Sequence, residues 1–161
     1  MTEKYSTLFD FYKGWDVYQD HLVKAITPLS PEQIALRAAP HLRSIGEIAA
    51  HIIGTRIWWF HYVMGEDSVD SASLTPMETW GEDGAPVRTA AELASGLEIT
   101  WHLIQDVLTR RTPADLDQTF QRREHRVSRQ WIIWHVIEHD LHHGGELSFT
   151  LGMHRLAAPD L

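Results

Sequence analysis

The stretch Ser44-Ile45-Gly46-Glu47-Ile48-Ala49-Ala50-His51-Ile52 opens on the serine and glutamate of a capping box. Ser44 can accept from the backbone N–H of Glu47 while the Glu47 carboxylate reaches back to the N–H of Ser44, so the spacing predicts a helix that starts here. Ile45, Ile48, Ile52, Ile57, Trp58, Val63 and Met64 carry an apolar stripe at helical spacing as far as Gly65. Three more such stripes occur. The first runs from about Ser6 to Ile26 through Leu8, Phe11, Trp15, Tyr18 and Leu22, and Pro28 and Pro31 end it. Pro31-Glu32-Gln33-Ile34 then reads as a short helical turn. Another starts after Thr89, again with a glutamate at capping-box spacing (Glu92), and runs to about Arg110. The last is capped by Ser128 and spans Arg129 to about Leu151.

Between Glu66 and Thr89 lies a long, weakly periodic connection rich in Gly, Pro, Ser and acidic residues, with local structure expected around Leu74 to Trp80. No segment alternates at period two long enough to suggest a sheet, although Gln118 to Arg126 admits an extended conformation. Four long helices with one long link predict an all-α protein: a four-helix bundle with a crossover connection between helices 2 and 3, in one domain over residues 1–161.

A chain of 161 residues can bury roughly two-thirds of its unfolded surface without staples. It has no cysteine, so disulfides, iron–sulfur clusters, thiol nucleophiles and thiolate zinc sites are excluded, and any metal must be held by His, Asp or Glu. The net charge of −8 argues against nucleic acid and anionic membrane as partners. No stretch approaches the roughly 20 apolar residues of a membrane span, and no signal pattern opens the chain. The expectation is a cytoplasmic protein.

Four histidines, His135, His139, His142 and His143, fall within nine residues. On a helix, His139 and His143 stand one turn apart on one face, as two imidazoles must to grip one ion. His51, two turns into the second helix, borders its apolar face, and facing helices are where bundles build metal sites. His51, His139 and His143 are therefore the candidate ligands of a three-imidazole site with positions left open, the pattern of a catalytic centre. His135 is read as a pocket or supporting residue and His142 as a packing or surface one, because all four cannot face one ion at 100° per residue. Glu146, three residues after His143, faces the same way and can orient an imidazole. The plainer alternatives are hydrogen-bonded boundary histidines and a solvated helix carboxylate. Ligand imidazoles must be neutral, so metal affinity should fall as pH drops through roughly 6.

The Ser44 to Ile52 stretch with Trp58-Trp59, the run His135-Val136-Ile137-Glu138-His139-Asp140-Leu141-His142-His143-Gly144-Gly145-Glu146-Leu147, and Phe9-Asp10-Phe11-Tyr12 with Trp15 together resemble the DinB/YfiT-like metalloenzyme superfamily. The DNA polymerase that shares part of that name is unrelated. The resemblance implies a crossover four-helix bundle, usually a homodimer, with one divalent ion (nickel, zinc or iron) on His51, His139 and His143. It also implies, for some members, transfer or isomerisation chemistry with a low-molecular-weight thiol. Where that family often has Arg-Gly-Gln after the paired histidines, this chain has Gly144-Gly145-Glu146.

Two classes of function follow. The first is a metal-dependent enzyme acting on a small molecule, a thiol-dependent transferase or a hydrolase, with Glu146 and His135 as proton carriers and the more distant His102 as a third candidate. Trp15, Trp58 and Trp59 would wall a pocket or simply fill the core. A zincin-like variant would use Asp140 as base within His139-Asp140-Leu141-His142-His143, but the further histidine such sites need is absent, since position 149 is Phe. The second class is a non-catalytic bundle or interaction module, a homodimer whose metal ties helices together.

Overall fold

The computed structural model describes residues 6–67, 71–82 and 84–159. It is mostly helical. Thr7 caps a single turn, α1 (Leu8–Phe11), and α2 (Trp15–Ile26) follows. The continuous helix expected from Ser6 to Ile26 is broken between them, because Gly14 takes φ +108°, a conformation open to glycine and costly for other residues. The turn α3 (Pro31–Ile34) stands as expected, capped by Ser30.

The Ser44 capping box is present in both halves: the Glu47 N–H donates to Ser44 Oγ at 3.2 Å and the Ser44 N–H donates to the Glu47 carboxylate at 2.7 Å. It opens α4 (Ile45–Ile57), which widens into a π-helical segment, Trp58–Val63, before Gly65. The wider turn buries Trp59 and Phe60 and leaves Trp58 half exposed. Within the long link, α5 (Ser71–Leu74) and the 3-10 turn Thr75–Met77 bury Leu74 and Met77. Thr89 and Glu92 cap α6 (Ala90–Arg110).

Strands β1 (Thr119–Arg122) and β2 (His125–Ser128) then form an antiparallel hairpin, Thr119 opposite Ser128 and Arg122 opposite His125. This small sheet departs from the all-α expectation. Its strands are short and charged, its two-residue turn has Arg123 and not glycine at positive φ, and only Phe120 and Val127 point to the core, so its alternation is faint in sequence. Ser128 caps α7 (Arg129–Met153). Helix α4 packs against both α6 and α7, and α2 packs against α6. Among the described residues, no helix is long and apolar enough to cross a membrane.

A buried polar network sets how these helices meet. The Arg56 and Asp140 side chains are wholly buried and paired, Nη2 to Oδ2 at 2.7 Å, with Arg56 Nε also donating to both carboxylate oxygens. Trp15 Nε1 donates to the same carboxylate at 2.9 Å, and the Tyr18 hydroxyl donates to the Asp140 carbonyl at 3.2 Å. Arg56 Nη1 donates to Gln19 Oε1 at 2.7 Å, and Gln19 Nε2 donates to the Leu97 carbonyl on α6. One ion pair thereby ties α2, α4, α6 and α7 and fixes the rotation of α7 about its axis. A second buried pair, Glu66 with Arg129 at 2.6 Å, joins the start of the link to the start of α7.

At Gly144, α7 lies against Tyr18 and Leu22 of α2. A Cβ there would overlap the Tyr18 hydroxyl and stand 2.8 Å from Tyr18 Cζ, closer than real Cβ atoms approach. The glycine that replaces an arginine of the family pattern is thus required by packing. Two consequences are testable by thermal denaturation. Gly144→Ala should destabilise the fold by about 1–3 kcal/mol, the usual cost of overpacking, with Tyr18→Phe restoring part of it by removing the overlapping hydroxyl. Asp140→Asn should cost about 3–5 kcal/mol because Arg56 loses its counter-charge, whereas replacing both members together, Arg56→Met with Asp140→Leu, should cost less than either alone.

Candidate metal centre

With α7 held in that rotation, His139 and His143 face α4, and His51 meets them from across the interface. The ring centroids stand 4.8 Å (His51 to His139), 4.7 Å (His51 to His143) and 4.3 Å (His139 to His143) apart. Each offers a nitrogen within 4.8 Å of those of the other two. The Nε2 atoms of His51 and His139 are 3.1 Å apart. Nitrogens bound to one ion at about 2.0–2.1 Å stand about 2.9–3.4 Å from each other for octahedral to tetrahedral angles, so this spacing suits a shared ion.

The far edges of two rings are anchored. His143 Nδ1 contacts Glu146 Oε2 at 2.7 Å, which leaves Nε2 toward the cluster. The Gly81 backbone of the long link lies against the His51 Nδ1 edge. Such outer contacts set tautomer and ring orientation in metal sites. His139 differs: its Nδ1 is buried with no hydrogen-bond partner, and its Nε2 faces both His51 and, at 3.1 Å, the Thr55 hydroxyl. Three imidazoles that bring nitrogens within 4.8 Å of one another, two of them 3.1 Å apart, could hold a cation.

All three rings are held neutral. Burial, then the positive charge of Arg43 and His143, pushes the His51 pKa down to about 4. Burial and the neighbouring His143 and His51 push His139 down to about 3. His143 also lies below the ordinary value, lowered by burial and partly restored by Glu146. Neutral imidazoles are the donors a divalent ion of intermediate softness prefers.

The other candidates fall into place around this cluster. His135 stacks on Trp131 (centroids 4.8 Å, 13° between planes) and meets Trp59 edge-on, 6.4 Å from the His139 ring, so it walls the approach to the cluster and offers it no nitrogen. His142 is exposed and reaches Glu146 Oε1 at 3.4 Å. These two with His143 make a second, more open group of possible ligands that shares His143 with the first. His102 is exposed on α6 and stands outside both groups. Trp15 and Trp59 are core residues, while Trp58 is exposed. Asp140 is buried, bonded to Arg56 and Trp15, so the zincin-like reading loses its base.

Sequence reading passed over Thr55, Gly81 and Arg56. Thr55 had a signal, since it lies one turn after His51 on the same face. Arg56 had one too: an arginine between Ile53 and Ile57 in an apolar helix needs a buried partner. Gly81 had none, because only the path of the link brings it to His51.

A model of the mycothiol-S-transferase family matches residues 15–150. That span contains His51, Thr55, His139, His143 and Glu146. Among curated proteins, none matches. Among solved structures, a DinB-like protein from Bacillus cereus ATCC 10987 is similar, with a TM-score of 0.75 and 20% identity over 98% of this chain and 99% of that one. At that identity the likeness concerns the fold, and it agrees with the DinB-like resemblance of the sequence. The family match takes in both helices of the histidine cluster, and the chain belongs to the mycothiol-S-transferase family.

Proposed function

We propose that this chain is a metal-dependent transferase that joins a low-molecular-weight thiol to a small electrophilic molecule. One divalent ion, nickel, zinc or iron, is held by His51, His139 and His143. The observation that carries this reading is the 3.1 Å approach of the His51 and His139 Nε2 atoms, with a nitrogen of His143 within 4.8 Å of ligand nitrogens of both residues. The family match supports the thiol.

Such an ion, when bound, lowers the pKa of a thiol and so makes a sulfur nucleophile available near neutral pH. The sulfur then forms a bond to the electrophilic carbon as the leaving group departs, and the thiol proton passes to a base. Glu146 is placed for that part: its Oε2 orients His143, and its Oε1 faces the open side beside His142. His135, partly exposed one turn before His139, is the second proton carrier. Thr55 positions donors around His139. We place this site in a single-domain, cytoplasmic four-helix bundle, a homodimer, in which residues 66–89 form the crossover. Exposed Trp134 and Phe149 suit a dimer face in this reading and equally in a second, a metal-stabilised dimer without turnover.

Metal analysis of protein purified without an affinity tag should give about one divalent ion per chain. His51→Ala should lose most of it, and unchanged stoichiometry would remove His51 from the site. Loading with metal should raise the melting temperature, and turnover of a thiol with an electrophile separates the enzyme from the structural dimer.

The pH response follows from the depressed imidazoles and corrects the value near 6 expected from sequence. Protons compete with the ion where the native rings titrate, and with His51 down to about 4 and His143 also below the ordinary value, affinity should fall at lower pH than that. The metal-free fold behaves differently. Its unfolded histidines take up protons near about 6.5 while the native ones stay neutral, so stability present above that pH is lost progressively as pH falls from about 6.5 toward 4. His51→Gln should flatten that loss in thermal melts across the range, and an unchanged slope would contradict it.

A further inference from the structure

Arg43 stands just before the Ser44 cap of α4, where two cavities meet. One, of about 230 Å³, is lined by Arg37, Glu47, Ala50, Gly81, Glu82 and Arg88 among others. Ala50 and Gly81 are the residues that touch His51 there. The other, of about 410 Å³, is lined by Leu42, Ile48, Phe149 and Glu146, the last bonded to His143. No histidine of the cluster lines either cavity, but each cavity includes a residue in contact with one, Gly81 with His51 and Glu146 with His143, and Arg43 borders both.

The arginines around the first cavity differ in their partners. Arg37 is engaged by Glu47 at 2.7 Å and by the Leu42 carbonyl, and Arg88 faces Glu92 and lies over Trp80. The Arg43 guanidinium has neither hydrogen bond nor ion pair among the described residues. Of the three arginines that line the first cavity, Arg37 and Arg88 thus have carboxylate partners and Arg43 has none among the described residues. The planar fork of a single unpaired arginine fits a carboxylate. On the other side, exposed Leu42 and Phe149 offer apolar surface beside the same guanidinium.

We infer that Arg43 anchors the carboxylate of a small acceptor molecule whose apolar body lies against Leu42 and Phe149, facing the histidine cluster. The word acceptor rests on the transferase reading; the binding does not. Arg43 also helps to keep His51 and His143 neutral, and a bound carboxylate would offset that charge.

The test is titration of the full-length chain with phenylacetate and with its uncharged analogue phenylacetamide, followed by NMR, in metal-free and nickel-loaded protein. Phenylacetate should bind both forms, and the amide should bind about tenfold more weakly, the loss expected for one charge-assisted pair. Arg43→Gln should weaken phenylacetate by about the same factor and leave the amide unchanged, with Arg43→Lys restoring part and nickel stoichiometry equal in all three proteins. Absence of phenylacetate binding to the unmutated chain, equal binding of acid and amide, or an unchanged affinity in Arg43→Gln would overturn the inference. Inorganic phosphate displacing phenylacetate at equal concentration would overturn the carboxylate assignment. Failure of nickel to bind would sink the proposed function and leave the metal-free comparison to decide the role of Arg43.

Discussion

The ion pair between Arg56 and Asp140 is the constraint on which the site depends. Charges that are wholly buried are tolerated only with good geometry and further hydrogen bonds, and here Trp15 and Gln19 supply them. Each of those partners comes from another helix, so the pair can be satisfied in one arrangement of α2, α4, α6 and α7. Asp140 immediately follows His139 in sequence, and Arg56 follows Thr55. Satisfying the pair on one face of α7 therefore turns His139 and His143 toward His51 on the neighbouring face.

Close approach reinforces that arrangement. Gly144 lets Tyr18 lie against α7, and the Tyr18 hydroxyl then reaches the Asp140 carbonyl. A side chain at position 144 would meet Tyr18, and of the arginines that line the first cavity Arg43 has no ion pair among the described residues. On the other side of the cluster the long link sets the Gly81 backbone against His51. The same burial that gathers the imidazoles also keeps them unprotonated, because a charged ring would lose its hydration without gaining a full counter-charge.

Much of the fold was legible in local spacing. The capping boxes at Ser44 and Thr89 and the cap at Ser128 mark the starts of α4, α6 and α7, because a cap depends on residues three apart in one turn. The break at Gly14 was not legible, since the apolar stripe continues through it and only the backbone dihedral reveals the interruption. The hairpin from Thr119 to Ser128 was legible only as a stretch able to extend, Gln118 to Arg126; its pairing was not, because two short charged strands gain their order by covering Trp59 and the start of α7 with Arg122 and Phe120.

The sequence by itself determined which residue types were available: three histidines at helical spacing on two amphipathic segments, and no cysteine to compete with them. Helical periodicity is a local property, so it also determined that His139 and His143 share a face. Only the tertiary structure decided that His51 meets them, that Glu146 contacts His143 in particular, and that Arg43 has no ion pair among the described residues. Those outcomes depend on the rotation of one helix against another, and that rotation is set by contacts between residues far apart in the chain: Arg56 with Asp140, Tyr18 with Gly144, and Gly81 with His51.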